Sequence, residues 1–167
     1  AEARRFVHDL APADLAEGGG LDAALHALAA RETTQAQGRL TVRCHVEGAP
    51  SGALPERVQS ALLRIAQGAL ANVTEHAGAT EAALTLTHLD DRIVLDIADN
   101  GHGFAPAART GGPGGVRGHG LPAMRARLRQ LGGSLTIESA PGEGTVVTAA
   151  VPLTEGPPAA LTPQDPA

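Results

Sequence analysis

Residues 99–121, DNGHGFAPAARTGGPGGVRGHGL, place eight glycines in 23 positions. Glycine serves where backbone takes positive φ or passes close to another group, and ordering it costs more chain entropy than ordering any other residue. No packed helix or strand can be built from such a stretch, so it must be a connection, and a connection this long inside a compact domain is usually functional. It is entered from an apolar strand, RIVLDIA, through Asp99-Asn100-Gly101, and left through Gly118-His119-Gly120 into a helical run, LPAMRARLRQL. A glycine-rich loop that opens a helix offers free N–H groups and the positive end of the helix dipole, which together favour phosphate.

The remaining elements follow from periodicity. Leu21, Leu25 and Leu28 fall at helical spacing in 21–36, with Gly38 as the stop. Leu40, Val42, Cys44 and Val46 alternate as in a half-buried strand. Pro55 is placed to open a long helix over 55–77, with Val58, Leu62, Ile65, Ala66, Ala69 and Val73 as its apolar stripe and Gly68, Asn72 and His76 along its flank. EAALTLTHL and RIVLDIA form a hairpin across Asp90-Asp91, and SLTIESA and TVVTAAVPL a second one across residues 141–144. The order helix, strand, long helix, hairpin, loop, helix, hairpin predicts an α/β two-layer sandwich, with helices stacked on one face of a mixed, mostly antiparallel sheet.

A chain of 167 residues accommodates one domain with short appendages. Residues 1–20 read as an entry connector, broken by Pro12 and Gly18-Gly19-Gly20, residues 21–153 as the domain, and residues 154–167, rich in proline, as a disordered tail. The net charge of −5 and the lack of Trp and Tyr argue against a nucleic-acid surface. No apolar run reaches the roughly 18 residues of a membrane span, and no signal peptide is evident. The single cysteine, Cys44, precludes an internal disulfide and is expected in the core. The chain opens without methionine, so it is expected to be a piece of a longer protein.

Several constellations can be set aside. No Gly-x-Gly-x-x-Gly follows a strand in a parallel unit, and a chain without lysine cannot carry a Gly-Lys-Ser phosphate loop. The seven histidines are scattered without a zinc pair at i, i+4, and Gly-x-Ser-x-Gly is absent. What remains is a combination. Asn72 sits inside a helix, where Asn is an indifferent helix former, and its amide oxygen is a hard ligand suited to Mg²⁺ held partly by substrate phosphates. Asp99 ends an apolar strand before Gly101 and Gly103, where a carboxylate either caps a turn or accepts a hydrogen bond from an exocyclic amine, selecting adenine over guanine.

The blocks RIAQGALANVTEHA, DNGHGF and GHGLPAMRARLRQLGGSLTIESAPGEGTVV, in this order over about residues 21–153, resemble the ATP-binding catalytic domain of bacterial two-component sensor histidine kinases, within the GHKL superfamily and the subfamily paired with LuxR-type response regulators. The resemblance implies the Bergerat-type ATP-binding fold with ATP and Mg²⁺ as ligands. It implies that Asn72 holds the metal against the phosphates, that His76 lies near them, and that Asp99 binds the adenine amine. Gly101 and Gly103 would let the backbone approach the base, Gly118, His119, Gly120 and Leu121 would shape the lid over the phosphates, and Gly144 and Thr145 would complete the adenine pocket. The implied activity is transfer of the γ-phosphoryl group to a histidine on a separate helical dimerisation domain, for relay to a response regulator. The fragment itself would be a cytoplasmic monomer without membrane contact, and the parent a homodimer, soluble or membrane-anchored. His8-Asp9 is not expected to be the phosphoacceptor pair, because Pro12 follows within a turn. Gly68 departs from the subfamily, which has Glu there, and this bears on catalytic rate more than on nucleotide binding. Alternative readings are a serine kinase of the same fold that binds a sigma factor, and a degenerate nucleotide-binding scaffold.

Overall fold

A computed structural model of the protein describes residues 20–50, 52–103 and 120–153. The proposed connector before residue 20, the loop residues 104–119 and the tail from 154 onward lie outside the described residues. Helix α1 spans Leu21–Ala36, strand β1 Thr41–Glu47, helix α2 Glu56–Asn72, strands β2 Glu81–His88 and β3 Arg92–Asp99, helix α3 Gly120–Gln130, and strands β4 Ser134–Ser139 and β5 Thr145–Pro152. One five-stranded sheet runs in the order β1-β2-β3-β5-β4. The β1–β2 pair is parallel and the other three are antiparallel, so the sheet is mixed and mostly antiparallel as the sequence predicts.

Side-chain period decides which face is covered. Ala82, Leu84, Leu86 and His88 on β2, Ile93, Leu95 and Ile97 on β3, and Val147, Ala149 and Val151 on β5 are all buried on the same side of the sheet. The helices supply the other half of the core. In α1 the buried residues Leu21, Ala24, Leu25, Leu28 and Ala29 follow the i, i+3, i+4 pattern, and in α2 Val58, Leu62, Ile65, Ala66 and Ala69 do the same. With no Trp or Tyr in the chain, this core is aliphatic and relies on many small contacts rather than a few large rings.

Two local features depart from the sequence reading. The long helix does not stay α-helical to residue 77; Val73–Ala77 widens into a π-helical turn. Thr74 Oγ1 donates to the Ala71 carbonyl at 3.0 Å, a side-chain bond that competes with the regular backbone ladder at this point. Cys44 packs against the core from the edge strand β1 and is only half-buried. Burial, with the nearby Asp22 carboxylate, still pushes its thiol up to about 11. Among the described residues, the polar side chain buried in the core is His88, whose Nε2 meets Asp22 Oδ1 at 3.1 Å, tying the first turn of α1 to the end of β2.

Candidate functional site

Strand register gathers the predicted residues at one end of the sheet. Asp99, the last residue of β3, pairs with Ala82 near the start of β2 on one side and with Thr145, the first residue of β5, on the other. Thr145 in turn pairs with Ser139, the last residue of β4. Helix α2 arrives at the same end, since its π turn closes at Gly78 and β2 begins at Glu81.

The Asp99 carboxylate is built into this corner. Its Oδ1 accepts the Gly101 N–H at 2.8 Å, and the Thr145 N–H also donates to the carboxylate. Burial raises the Asp99 pKa, and these two N–H groups and the charge of His102 pull it back down. An ionised carboxylate offers about four acceptor positions, so two backbone donors leave room for a further one. A partly desolvated acceptor that still wants a donor suits an exocyclic amine better than it suits water.

Glycine is required around it. Gly103 has φ +69°, and a Cβ there would collide with the carbonyl oxygens of Ala140 and Gly144. Gly144 has φ +80°, and a Cβ there would collide with the Asp99 carbonyl. The Gly142 N–H donates to the His102 carbonyl, and Ser139 Oγ hydrogen-bonds both the Gly144 carbonyl at 3.0 Å and Thr145 Oγ1 at 2.8 Å. The loop after β3 and the β4–β5 turn are therefore clamped backbone to backbone, and the polar groups of residues 99, 101, 103, 144 and 145 share one small surface.

Asn72 is the last residue of α2, partly exposed, and no hydrogen bond joins its amide to another described residue. Helix α3 packs antiparallel to α2. Met124 Cε lies 2.5 Å from where a Cβ on Gly68 would stand, and Arg127, Gln130 and Leu131 face Arg57, Ser60 and Ala61, about two to three turns nearer the start of α2. Extending that pairing one turn the other way sets Gly120, the first residue of α3, level with Asn72. The end of α2, the start of α3 and the Asp99 corner thus frame one end of the molecule. The backbone of His76 lies in the π turn and that of Leu121 in α3; Gly118 and His119 fall outside the described residues.

Sequence reasoning missed Asn100. Its Oδ1 accepts the N–H groups of Thr80 at 2.9 Å and Glu81 at 3.0 Å, and its Nδ2 donates to Thr80 Oγ1 at 3.0 Å. Its own N–H donates to the Glu81 carbonyl at 3.1 Å. The available signal was an amide placed between a strand end and a glycine, where Asn commonly bonds nearby backbone.

A two-layer sandwich with a partly buried carboxylate between glycines at the sheet end, where a helix also begins, has the form of a nucleotide-binding domain. The comparisons identify which one. Residues 57–155 match the family described as histidine kinase-, DNA gyrase B-, and HSP90-like ATPase, and the chain belongs to that family. It is 36% identical over 124 residues to the nitrate/nitrite sensor protein NarQ of Escherichia coli, covering 73% of this chain and 20% of that one. It is 33% identical over 100 residues to the signal transduction histidine-protein kinase/phosphatase DegS of Brevibacillus brevis, covering 60% of this chain and 25% of the relative. The chain therefore spans about a quarter or less of these two curated relatives. Among solved structures, the histidine kinase domain of a blue-light activated kinase from Erythrobacter litoralis superposes with a TM-score of 0.58 at 19% identity, over 80% of this chain and 61% of that one. The histidine kinase AdeS of Acinetobacter baumannii gives a TM-score of 0.58 at 16% identity, over 78% and 66%. At these identities the superpositions establish the fold.

Proposed function

We propose that this chain is the ATP-binding catalytic domain of a sensor histidine kinase, and that it presents Mg²⁺-ATP to a histidine on a separate helical domain. The observation that carries this reading is the Asp99 carboxylate, held by the Gly101 and Thr145 N–H groups in a glycine-lined corner at the sheet end where α2 delivers Asn72. Family membership and the names of the relatives support it.

The residues divide the work. Asp99 accepts the adenine amine, and Gly101, Gly103, Gly144 and Thr145 let backbone lie against the base. Asn72 offers a hard amide oxygen to Mg²⁺, which neutralises charge on the phosphates when bound. His76, Gly118, His119, Gly120 and Leu121 belong to the phosphate side, with the N-terminus of α3 adding its dipole. Phosphoryl transfer breaks the bond between the γ-phosphorus and the β–γ bridging oxygen and forms a phosphorus–nitrogen bond on the acceptor histidine; it demands positioning and charge neutralisation more than covalent help. A response regulator then takes the group. The parent acts as a homodimer, with this domain on the ATP-containing side of the cell envelope.

The test is incubation of the full-length parent with γ-labelled ATP and Mg²⁺. Wild type acquires an acid-labile, base-stable label, Asn72→Ala and Asp99→Ala lose it, and Gly68→Glu labels faster. An unlabelled wild-type protein that nonetheless binds ATP would make this domain a nucleotide-dependent scaffold instead.

A further inference from the structure

Two groups assigned above to opposite ends of a bound nucleotide, Asp99 and Asn72, lie on different elements, and something must fix the distance between them. Helix α2 carries Asn72 and then runs through the π turn and Gly78 into Thr80 and Glu81. Strand β3 carries Asp99 and then Asn100. On the other side of β2, strand β1 holds this end, with Thr41 paired to Glu81 and its N–H on the Thr80 carbonyl at 3.0 Å, but the β2–β3 ladder begins only at Ala82 and Asp99, so towards β3 the return from α2 lies beyond the ladder.

Asn100 closes that gap. Its side chain engages the N–H of Thr80, the N–H of Glu81 and the hydroxyl of Thr80, all within 3.0 Å, while its backbone N–H holds the Glu81 carbonyl. One residue thus makes four bonds to the two residues that link α2 to the sheet. A second strut lies beside it: the His102 ring packs on Gly78, so closely that a Cβ on Gly78 would stand 2.5 Å from His102 Nε2. Gly78 has φ +63°, the left-handed turn that ends the helix. His102 is itself fixed through its carbonyl by the Gly142 N–H. The segment 99–103 is therefore braced on one side against the β4–β5 turn and on the other against the exit of α2.

We propose that Asn100 is a positioning residue for nucleotide binding, setting the span between the amine-binding carboxylate of Asp99 and the metal-binding amide of Asn72. The proposal rests on the nucleotide reading given above. Asn100 is exposed, and its amide is consumed by Thr80 and Glu81, so it works through those residues and not by touching the base. The consequence is a dependence on ligand length. A ligand that reaches both ends gains from two contacts held at a fixed separation, and it loses that advantage when the separation is free to drift. A ligand that reaches only the Asp99 end feels no such loss.

The experiment compares Mg²⁺-ATP and adenosine on this chain, by calorimetry for the first and by chemical-shift titration for the second. Asn100→Ala is expected to weaken Mg²⁺-ATP about tenfold or more and adenosine by less than twofold. Asn100→Asp restores Mg²⁺-ATP binding to within about threefold, because its carboxylate accepts the same two N–H groups and the Thr80 hydroxyl can turn to donate. Equal weakening of both ligands, no weakening of either, or no rescue by Asp would overturn the proposal. Where Asn100→Ala is not folded at the assay temperature, Asn100→Gln is used: its amide keeps the bonding capacity but is one methylene longer, and the same unequal loss is expected. The nucleotide reading fails separately, when wild type binds neither ligand or when Asp99→Asn leaves adenosine binding unchanged.

Discussion

Replacing Gly68 by Ala tests how α3 is seated on α2. Glycine inside a helix costs about 1 kcal/mol relative to alanine, so the substitution alone should stabilise the protein by that amount. The structure opposes it: the new Cβ would stand 2.5 Å from Met124 Cε, where carbon atoms ordinarily rest about 3.5–4.0 Å apart. The methyl must withdraw by about 1 Å, and forcing a side chain off its preferred rotamer costs on the order of 0.5–1.5 kcal/mol. The two effects nearly cancel, so Gly68→Ala is expected to change stability by less than about 0.5 kcal/mol. In a Met124→Ala background the obstacle is gone and the helix gain of about 1 kcal/mol stands in full. Urea denaturation of the four proteins in this cycle should yield a coupling of about 1 kcal/mol, the size expected of residues in direct contact. The same gain from Gly68→Ala in both backgrounds would refute the seating of Met124 against Gly68, and with it the alignment that sets Gly120 level with Asn72.

Other expectations are simpler. His88→Ala removes a buried ring and leaves Asp22 without its partner, for a loss of about 2–3 kcal/mol by urea titration, whereas Asp22→Ala, at a partly exposed position, should lose about 1 kcal/mol. Cys44 should react with a disulfide reagent at pH 8 about 100-fold more slowly in the folded chain than in urea, since a thiol near 11 has that much less thiolate than one at 9.0. A thiol raised on folding favours the folded state below pH 9, and that contribution is lost as pH rises towards 11. A stability profile that improved over this window would reverse the assignment.

How far the sequence could be read depends on the range of each interaction. Helix α1 was legible to the residue because Leu21, Leu25 and Leu28 mark its face and Gly38 its stop, all local signals. The strands were legible because alternation is local too, and in the structure His88 follows it onto the same face as Leu84 and Leu86. Its partner Asp22, 66 residues earlier, has no local signature. Neighbours within the sheet were equally hidden: alternation tells which face β5 buries, not that β5 inserts between β3 and β4. The π turn escaped notice because VTEHA continues a helical pattern, and the Thr74 bond that accompanies the widening is one of several a threonine can make. At the site, the glycines and Asp99 stood out as residue types that need a reason. Asn100 was passed over as the middle of a turn, and its work is visible only once Thr80 and Glu81 are seen beside it.

The most direct measurement of the central claim is calorimetry of this chain with ATP and Mg²⁺, set against Asp99→Asn and against GTP. The account predicts saturable one-to-one binding of ATP, at least tenfold weaker binding of GTP, and loss of heat with Asp99→Asn in a protein that remains folded. Undiminished binding by the Asp99→Asn protein, or equal affinity for the two nucleotides, would contradict the assignment of that carboxylate to the adenine amine.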